Sequence, residues 1–244
     1  MNPPSLAQID AFHTTQQQSI ALLQACLQQL HLNQTETEVL TWLEKHCQDF
    51  QLQGFIRRPV VHFDYRMSLR VGPSDKRTLQ VGSVVQIHLQ PFNAQAFGNT
   101  GISFVYQSGD IPIVNVAKEL CVASCTFATH GKSAGEIFVF AKSWATNHRT
   151  HLNNESVGHF CFPNSETGIF GSLWPSSMRG LTQLRRYQLQ WYNPRKLEGI
   201  YAIHPEIKQD NRRAGFAELI YVTASERIVL GRHSMDALCH FDFY

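Results

Sequence analysis

The sequence predicts an α+β fold in which helices back a curved antiparallel sheet. Apolar residues recur at spacings of about three and four in residues 6–47 and 112–148, which is the periodicity of helices that bury one face. β-branched runs bounded by turn residues occupy 57–106 and 158–231, which is typical of strands. The order of helices followed by strands therefore occurs twice, and helices packed on one antiparallel sheet account for both halves.

The first half begins with helical periodicity through Leu6, Ile9 and Phe12, which predicts one long helix or two short ones. Thr35 and Glu38 have the spacing of a capping box, so they predict the start of a second amphipathic helix that stops before Gly54. The strands that follow are predicted at PVVHF (59–63) and SVVQIHL (83–89).

The second half is predicted to begin with two helices within residues 112–148. The strand candidates after them share short β-branched or aromatic runs between turn residues: GHFCF (158–162), LQWY (189–192), GIYAIHPEI (199–207), FAELIYV (216–222) and RIVLG (227–231). We predict a single domain, 1–244, made of similar halves at about 15–107 and 112–231.

Composition excludes several functional classes. With 43% hydrophobic and 16% charged residues, the 244-residue chain is typical of globular proteins. A net charge of +2 argues against nucleic acid or a membrane surface as partner, and no run is apolar enough to predict a signal peptide or a membrane span. Six cysteines without a CxxC pair are expected to be free thiols. We expect a cytoplasmic protein that acts on a small molecule.

Five candidate metal ligands follow one another along the chain. The segment LQVGSVVQIH ends at His88, and Asn99 lies eleven residues later. A Gly-His pair ends at His159, HPEI begins at His204, and Glu218 enters the run ELIYVT. This series resembles the catalytic domain of the pita-bread metallopeptidases, which include methionine aminopeptidase, aminopeptidase P, prolidase and the non-peptidase creatinase. The resemblance covers residues from about 15 to 231 and implies the pita-bread fold.

The resemblance also implies a changed site. The family's ligands are Asp, Asp, His, Glu and Glu, and the matching positions here are His88, Asn99, His159, His204 and Glu218. The family's two further catalytic histidines match Glu166 and a position near Arg70, so neither is retained. We therefore name two catalytic candidates: Glu166 as a general base, with Glu206 as an alternative, and His62 as a replacement for the upstream histidine.

Charge predicts how many ions this set can hold. The family's ligands carry four negative charges, whereas the five residues here carry one, at Glu218. A second divalent ion would leave an uncompensated positive charge in a partly buried site, which is unfavourable at low dielectric constant. We predict one divalent transition metal. Imidazole ligands favour Fe(II) in our interpretation, with Zn, Mn or Co as alternatives.

Three functions remain open. The first is a mononuclear, non-haem Fe(II) oxidoreductase acting on a small amino-acid-like or metabolite substrate, since three imidazoles and one carboxylate leave coordination positions free. The second is a mononuclear metal-dependent hydrolase or lyase of the aminopeptidase or creatinase type. The third is a metal-free binding module. Arg185-Arg186 and Arg212-Arg213 could bind a substrate carboxylate, and the resemblance makes a homodimer an expectation.

Overall fold

The structure, a computed structural model, describes residues 4–64, 73–109, 111–161 and 188–231. Its helical elements confirm the predicted pattern, with one long opening helix instead of two short ones. They are α1 (Leu6–Gln28), α2 (Glu36–His46), a short 3-10 helix (Cys47–Phe50), α3 (Pro112–Phe127) and α4 (Ala134–Asn147). No helix in these ranges is both long and apolar enough to cross a membrane.

The described strands are all antiparallel to their neighbours. They are β1 (Gly54–Phe63), β2 (Val84–Phe92), β3 (Thr100–Val105), β4 (His151–Leu152), β5 (Gly158–Cys161), β6 (Gly199–Ile203), β7 (Glu206–Gln209), β8 (Arg212–Gly215), β9 (Glu218–Val222) and β10 (Arg227–Val229). They form three sheets in the orders β1-β2-β3, β10-β9-β6-β5 and β4-β7-β8. An isolated antiparallel bridge between Gly101 and Ala217 joins the first sheet to the residue that precedes β9.

Side-chain caps explain where three of the helices begin. The predicted capping box is present at α2, where the Thr35 amide donates to Glu38 Oε2 at 2.7 Å and the Glu38 amide donates to Thr35 Oγ1 at 3.2 Å. Ser5 with Gln8 caps α1 in the same way, and Ser133 with Glu136 caps α4. These side chains satisfy amide groups that the first helical turn leaves without intrahelical partners.

Two strand predictions in the second half need correction. Leu189–Tyr192 is not a strand: the chain turns there, and the Asn193 amide donates to the Gln190 carbonyl at 3.0 Å. Leu189 still exchanges backbone hydrogen bonds with Val157 and Gly158, but the chain turns after it, and the aromatic residues at the turn are exposed. The run 199–207 is two strands, because β6 ends before His204 and β7 begins after Pro205.

The hydrophobic core is divided by the sheet that contains β5, β6 and β9. The larger cluster lies between this sheet and α3, and it includes Tyr201 and Ile203 from β6. The smaller cluster lies on the other face and contains Ala202 and Leu219 together with Phe12 of α1. Strand residues therefore alternate between two buried environments. This alternation decides which side chains can reach the candidate site.

Candidate metal site and cavity

His88 lies at the centre of the first sheet. It pairs with Val60 of β1 on one side and with Gly101 of β3 on the other. A Cβ atom at Gly101 would lie 3.2 Å from His88 Cδ2 and 3.0 Å from the Ala217 Cβ. The small residues Gly101 and Ala217 therefore make room for the His88 ring. They also allow the first sheet to approach β9 closely.

The side chain of Asn99 is hydrogen-bonded to the Nε2 atom of His88. The Asn99 Oδ1 atom lies 2.5 Å from His88 Nε2, and because an amide oxygen can only accept, the imidazole N–H is the donor. The backbone of Asn99 is fixed by Gln16 of α1, whose Nε2 donates to the Asn99 carbonyl at 3.0 Å and whose Oε1 accepts from the Asn99 amide at 2.8 Å. Gln16 and Asn99 are fully buried, so α1 positions the residue that orients His88.

His159 and His204 bring two more imidazoles to the same place. His159 is in β5, and His204 follows β6 with its amide donating to the Val157 carbonyl at 2.9 Å. His159 Nδ1 and His204 Nε2 are 3.2 Å apart. The His204 ring centre lies 5.3 Å from that of His159 and 5.5 Å from that of His88. The structure therefore brings together four of the predicted ligands: His88, Asn99, His159 and His204.

The surroundings of the three imidazoles favour their neutral form. Burial is the main cause that lowers the pKa of each ring, and for His159 it reaches about 3. The positive charge of Arg57 lowers the pKa of all three further, and the histidines also disfavour protonation of one another. Neutral imidazole is the form that binds metal ions. The cluster thus has nitrogen lone pairs and no negative charge.

The expectation that Glu218 converges with the histidines is wrong. Glu218 pairs with Ile203, and this pair faces the larger core cluster, where Cys125 and burial raise the pKa of Cys121 in α3 and the Glu218 carboxylate adds to the effect. His159 pairs with Ala202, so its side chain lies on the opposite face of the sheet. Ala217, one residue before Glu218, lines the cavity beside His88 instead.

Of the two catalytic candidates, the structure describes only His62. Glu166 lies outside the described residues, so its role stays a prediction. His62 is buried in β1 and pairs with Gln86, on the same face of the strand as Val60. The described residues that line the cavity include Val60 and Gln86 but not His62. A catalytic role for His62 also stays a prediction.

A cavity of about 710 Å³ opens beside His88 and His204. Its wall is rich in amide side chains from β2 and from two loops: Gln86, Gln90, Asn153, Asn154, Gln188 and Gln190. Glu206 contributes a buried carboxylate, which accepts from Asn153 at 2.6 Å and lies 3.6 Å from Arg213. Burial raises the pKa of Glu206, and the nearby Arg213 opposes that effect. From the sequence, Glu206 was only an alternative to Glu166 as general base. The fold places its carboxylate in the cavity wall.

Comparison with known proteins identifies the fold. No family model and no curated protein matches the chain in sequence. An X-Pro aminopeptidase from Thermotoga maritima is similar in structure, with a TM-score of 0.74 at 13% identity. The chain has the pita-bread fold. A Bacillus anthracis Xaa-Pro dipeptidase (TM-score 0.75, 14% identity) and a Thermotoga maritima methionine aminopeptidase (0.74, 13%) have the same fold.

The aligned lengths differ between these structures. The match covers 94% of this chain but only 62% of the X-Pro aminopeptidase and of the dipeptidase, so the chain spans about three fifths of those proteins. It covers 95% of this chain and 99% of the methionine aminopeptidase. The shared pita-bread region is therefore nearly the whole of the shorter enzyme.

The described cluster contains one pair of imidazole nitrogens at a separation that a single metal ion could span. Two nitrogen ligands at about 2.0–2.2 Å from one ion lie about 3.0–3.5 Å apart, and the 3.2 Å hydrogen bond between His159 Nδ1 and His204 Nε2 falls within that range. Two divalent ions would need carboxylates, and none from the described part of the chain converges on the histidines. In the described ranges, no group of three or more His, Cys, Asp and Glu side chains already surrounds a single point, and His88 Nε2 is engaged by Asn99.

Proposed function

We propose that this chain is a mononuclear metal-dependent enzyme that acts on a small molecule in the cavity. The ion would be held by His88, His159 and His204, with Asn99 orienting His88 through its hydrogen bond. The observation that carries the proposal is the 3.2 Å separation of His159 Nδ1 and His204 Nε2, with the His88 ring beside them. Three neutral imidazoles suit a transition metal better than magnesium or calcium.

Hydrolysis or elimination is the reaction class that this ligand set supports best. The oxidative Fe(II) hypothesis was drawn from three imidazoles together with one carboxylate, and the position of Glu218 removes that carboxylate. Three neutral imidazoles are a known ligand set of catalytic zinc, which when bound supplies Lewis acidity and a fourth position for water or substrate. The similar structures are those of peptidases, which agrees with this class.

The residues of the chain have separate roles in this proposal. Glu206 would hold the proton that the reaction moves, because it is buried in the cavity wall and burial raises its pKa. Arg213, close to one oxygen of Glu206, would limit that rise and orient the carboxylate. The amide side chains of the wall would position a polar substrate.

The test is elemental analysis of protein purified without chelators. We expect about one transition-metal ion per chain, with zinc favoured over iron, and loss of most of it in His159→Ala and His204→Ala. Gln90→Ala is the matched control, since Gln90 lines the same cavity and is not one of the proposed ligands. Two ions per chain, or no ion after reconstitution with Zn, Fe, Mn or Co, would overturn the proposal. The second result would favour a metal-free binding module.

A separate measurement tests whether the site binds Fe(II) with a position open to dioxygen. The metal-free protein is reconstituted anaerobically with Fe(II) and exposed to nitric oxide, which is a dioxygen surrogate. A spin-3/2 iron nitrosyl signal, together with iron in protein from iron-replete cells, would replace the hydrolytic assignment with the oxidative one. Zinc in that protein and no nitrosyl signal would support hydrolysis or elimination.

A further inference from the structure

Arg57 is the feature of the cavity that the proposed function does not use. It lines the cavity next to the wall that contains His88, and its positive charge lowers the pKa of all three clustered histidines. Its side chain is exposed to solvent within this opening. No carboxylate among the described residues lies within ion-pair distance of it.

An irregularity in β1 turns Arg57 toward the cavity. Arg57 pairs with Gln90 and Val60 pairs with His88, so three steps along β1 match two steps along β2. In a regular strand, residues three apart face opposite sides of the sheet. The extra residue is a β-bulge, which puts Arg57 and Val60 on the face that carries His88.

The second arginine that lines the cavity forms an ion pair. Arg58, the next residue, lines the same cavity, but its Nε lies 3.1 Å from Glu44 Oε1. Arg213 lies beside Glu206 at 3.6 Å. A bulge thus aims one arginine, without a protein counter-ion in the described residues, into a cavity whose wall offers amide donors. A planar guanidinium binds a carboxylate through two parallel hydrogen bonds.

We infer that Arg57 is the recognition site for a carboxylate group of the small molecule that enters this cavity. The inference rests on the proposed function only in taking the cavity as the substrate site. A carboxylate is favoured over a phosphate group because phosphate sites usually combine several cations or a helix N-terminus, and the described cation beside Arg57 in the cavity wall, Arg58, is already paired with Glu44.

Succinate is the probe that tests the inference, with succinamide as an uncharged ligand of the same shape. Binding is measured by titration calorimetry on metal-free protein. We expect succinate to bind and succinamide to bind at least about tenfold more weakly. Arg57→Gln should weaken succinate binding about tenfold or more, and Arg57→Lys should recover only part of the loss.

Arg58→Gln is the matched control, because that neighbouring arginine is held by Glu44. We expect it to change succinate affinity by less than about threefold. The inference is overturned if Arg58→Gln weakens binding as much as Arg57→Gln, if succinate and succinamide bind alike, or if wild-type protein does not bind succinate at millimolar concentration. Tighter Arg57-dependent binding of inorganic phosphate would also overturn it.

The metal-free form separates this test from that of the proposed function. Protein that holds a metal through its histidines but shows no Arg57-dependent succinate binding keeps the proposed function and loses this inference. Protein that binds succinate through Arg57 but holds no metal keeps the inference about the ligand and loses the metal-dependent enzyme.

Discussion

The candidate site depends on how single buried residues hold one another. Gln16 binds both backbone groups of Asn99, and Asn99 in turn binds His88 Nε2. Because Gln16 and Asn99 are fully buried, the hydrogen bonds between them restrict Asn99 strongly. The orientation of the His88 ring therefore depends on a helix that contributes no ligand. Asn99 is better understood as the residue that orients His88 than as a ligand.

The metal content of a Glu218 variant tests the corrected site. Glu218→Gln should keep the same metal stoichiometry as the wild-type chain, because the side chain faces Cys121 and the larger core cluster instead of the histidines. His204→Ala should lose most of the metal in the same assay. Elemental analysis of the two variants, purified in parallel, checks this. Loss of metal in Glu218→Gln comparable to that in His204→Ala would mean that the carboxylate is a ligand.

At the scale of the elements, strand register decides which residues reach the site. The pairing of β5 with β6 puts His159 opposite Ala202, and the pairing of β6 with β9 puts Glu218 opposite Ile203. A shift of one residue moves a side chain to the other face of a sheet. The motif spacing alone could not exclude such a shift. The bulge in β1 also changes the face that a side chain occupies, and it turns Arg57 toward the cavity.

Gly158 tests the close approach of β5 and β6. A Cβ atom at this position would collide with the carbonyl oxygen of Ala202, and backbone cannot move away as a side chain can. Gly158→Ala should therefore lower the free energy of unfolding by about 3 kcal/mol. Gly109→Ala is the control, because a Cβ atom there meets nothing within 4 Å. Urea denaturation of both variants is the measurement, and equal midpoints would contradict the steric argument.

At the scale of the whole molecule, the fold is shared with peptidases while the charge of the site is not. The structure aligns with an aminopeptidase over nearly the full length of both chains. The described cluster nevertheless combines imidazoles with an amide, and the positive charge of Arg57 acts on all three imidazoles. The proposed single-ion site follows from this difference in charge, because the fold fixes positions and the side chains fix charge.

Peptide turnover is the prediction that belongs to this scale. A two-metal site stabilises both the attacking and the developing oxyanion, and a cluster without carboxylates is not expected to hold two divalent ions. We expect turnover of Met-Ala and Xaa-Pro peptides near background with Zn, Mn or Co. Release of free amino acid is measured, with a methionine aminopeptidase as the positive control. Robust release with any of these metals would refute the charge argument.

The sequence by itself determined the order of helices and strands, the capping box at Thr35 and the positions of the histidines that cluster. These features follow from local periodicity and from motif spacing, both of which are properties of neighbouring residues. Only the tertiary structure decided that Glu218 faces away from the cluster, that Gln16 orients Asn99, and that Arg57 enters the cavity. Each of these depends on register, on a bulge or on contacts between distant segments, and local sequence preferences do not determine them.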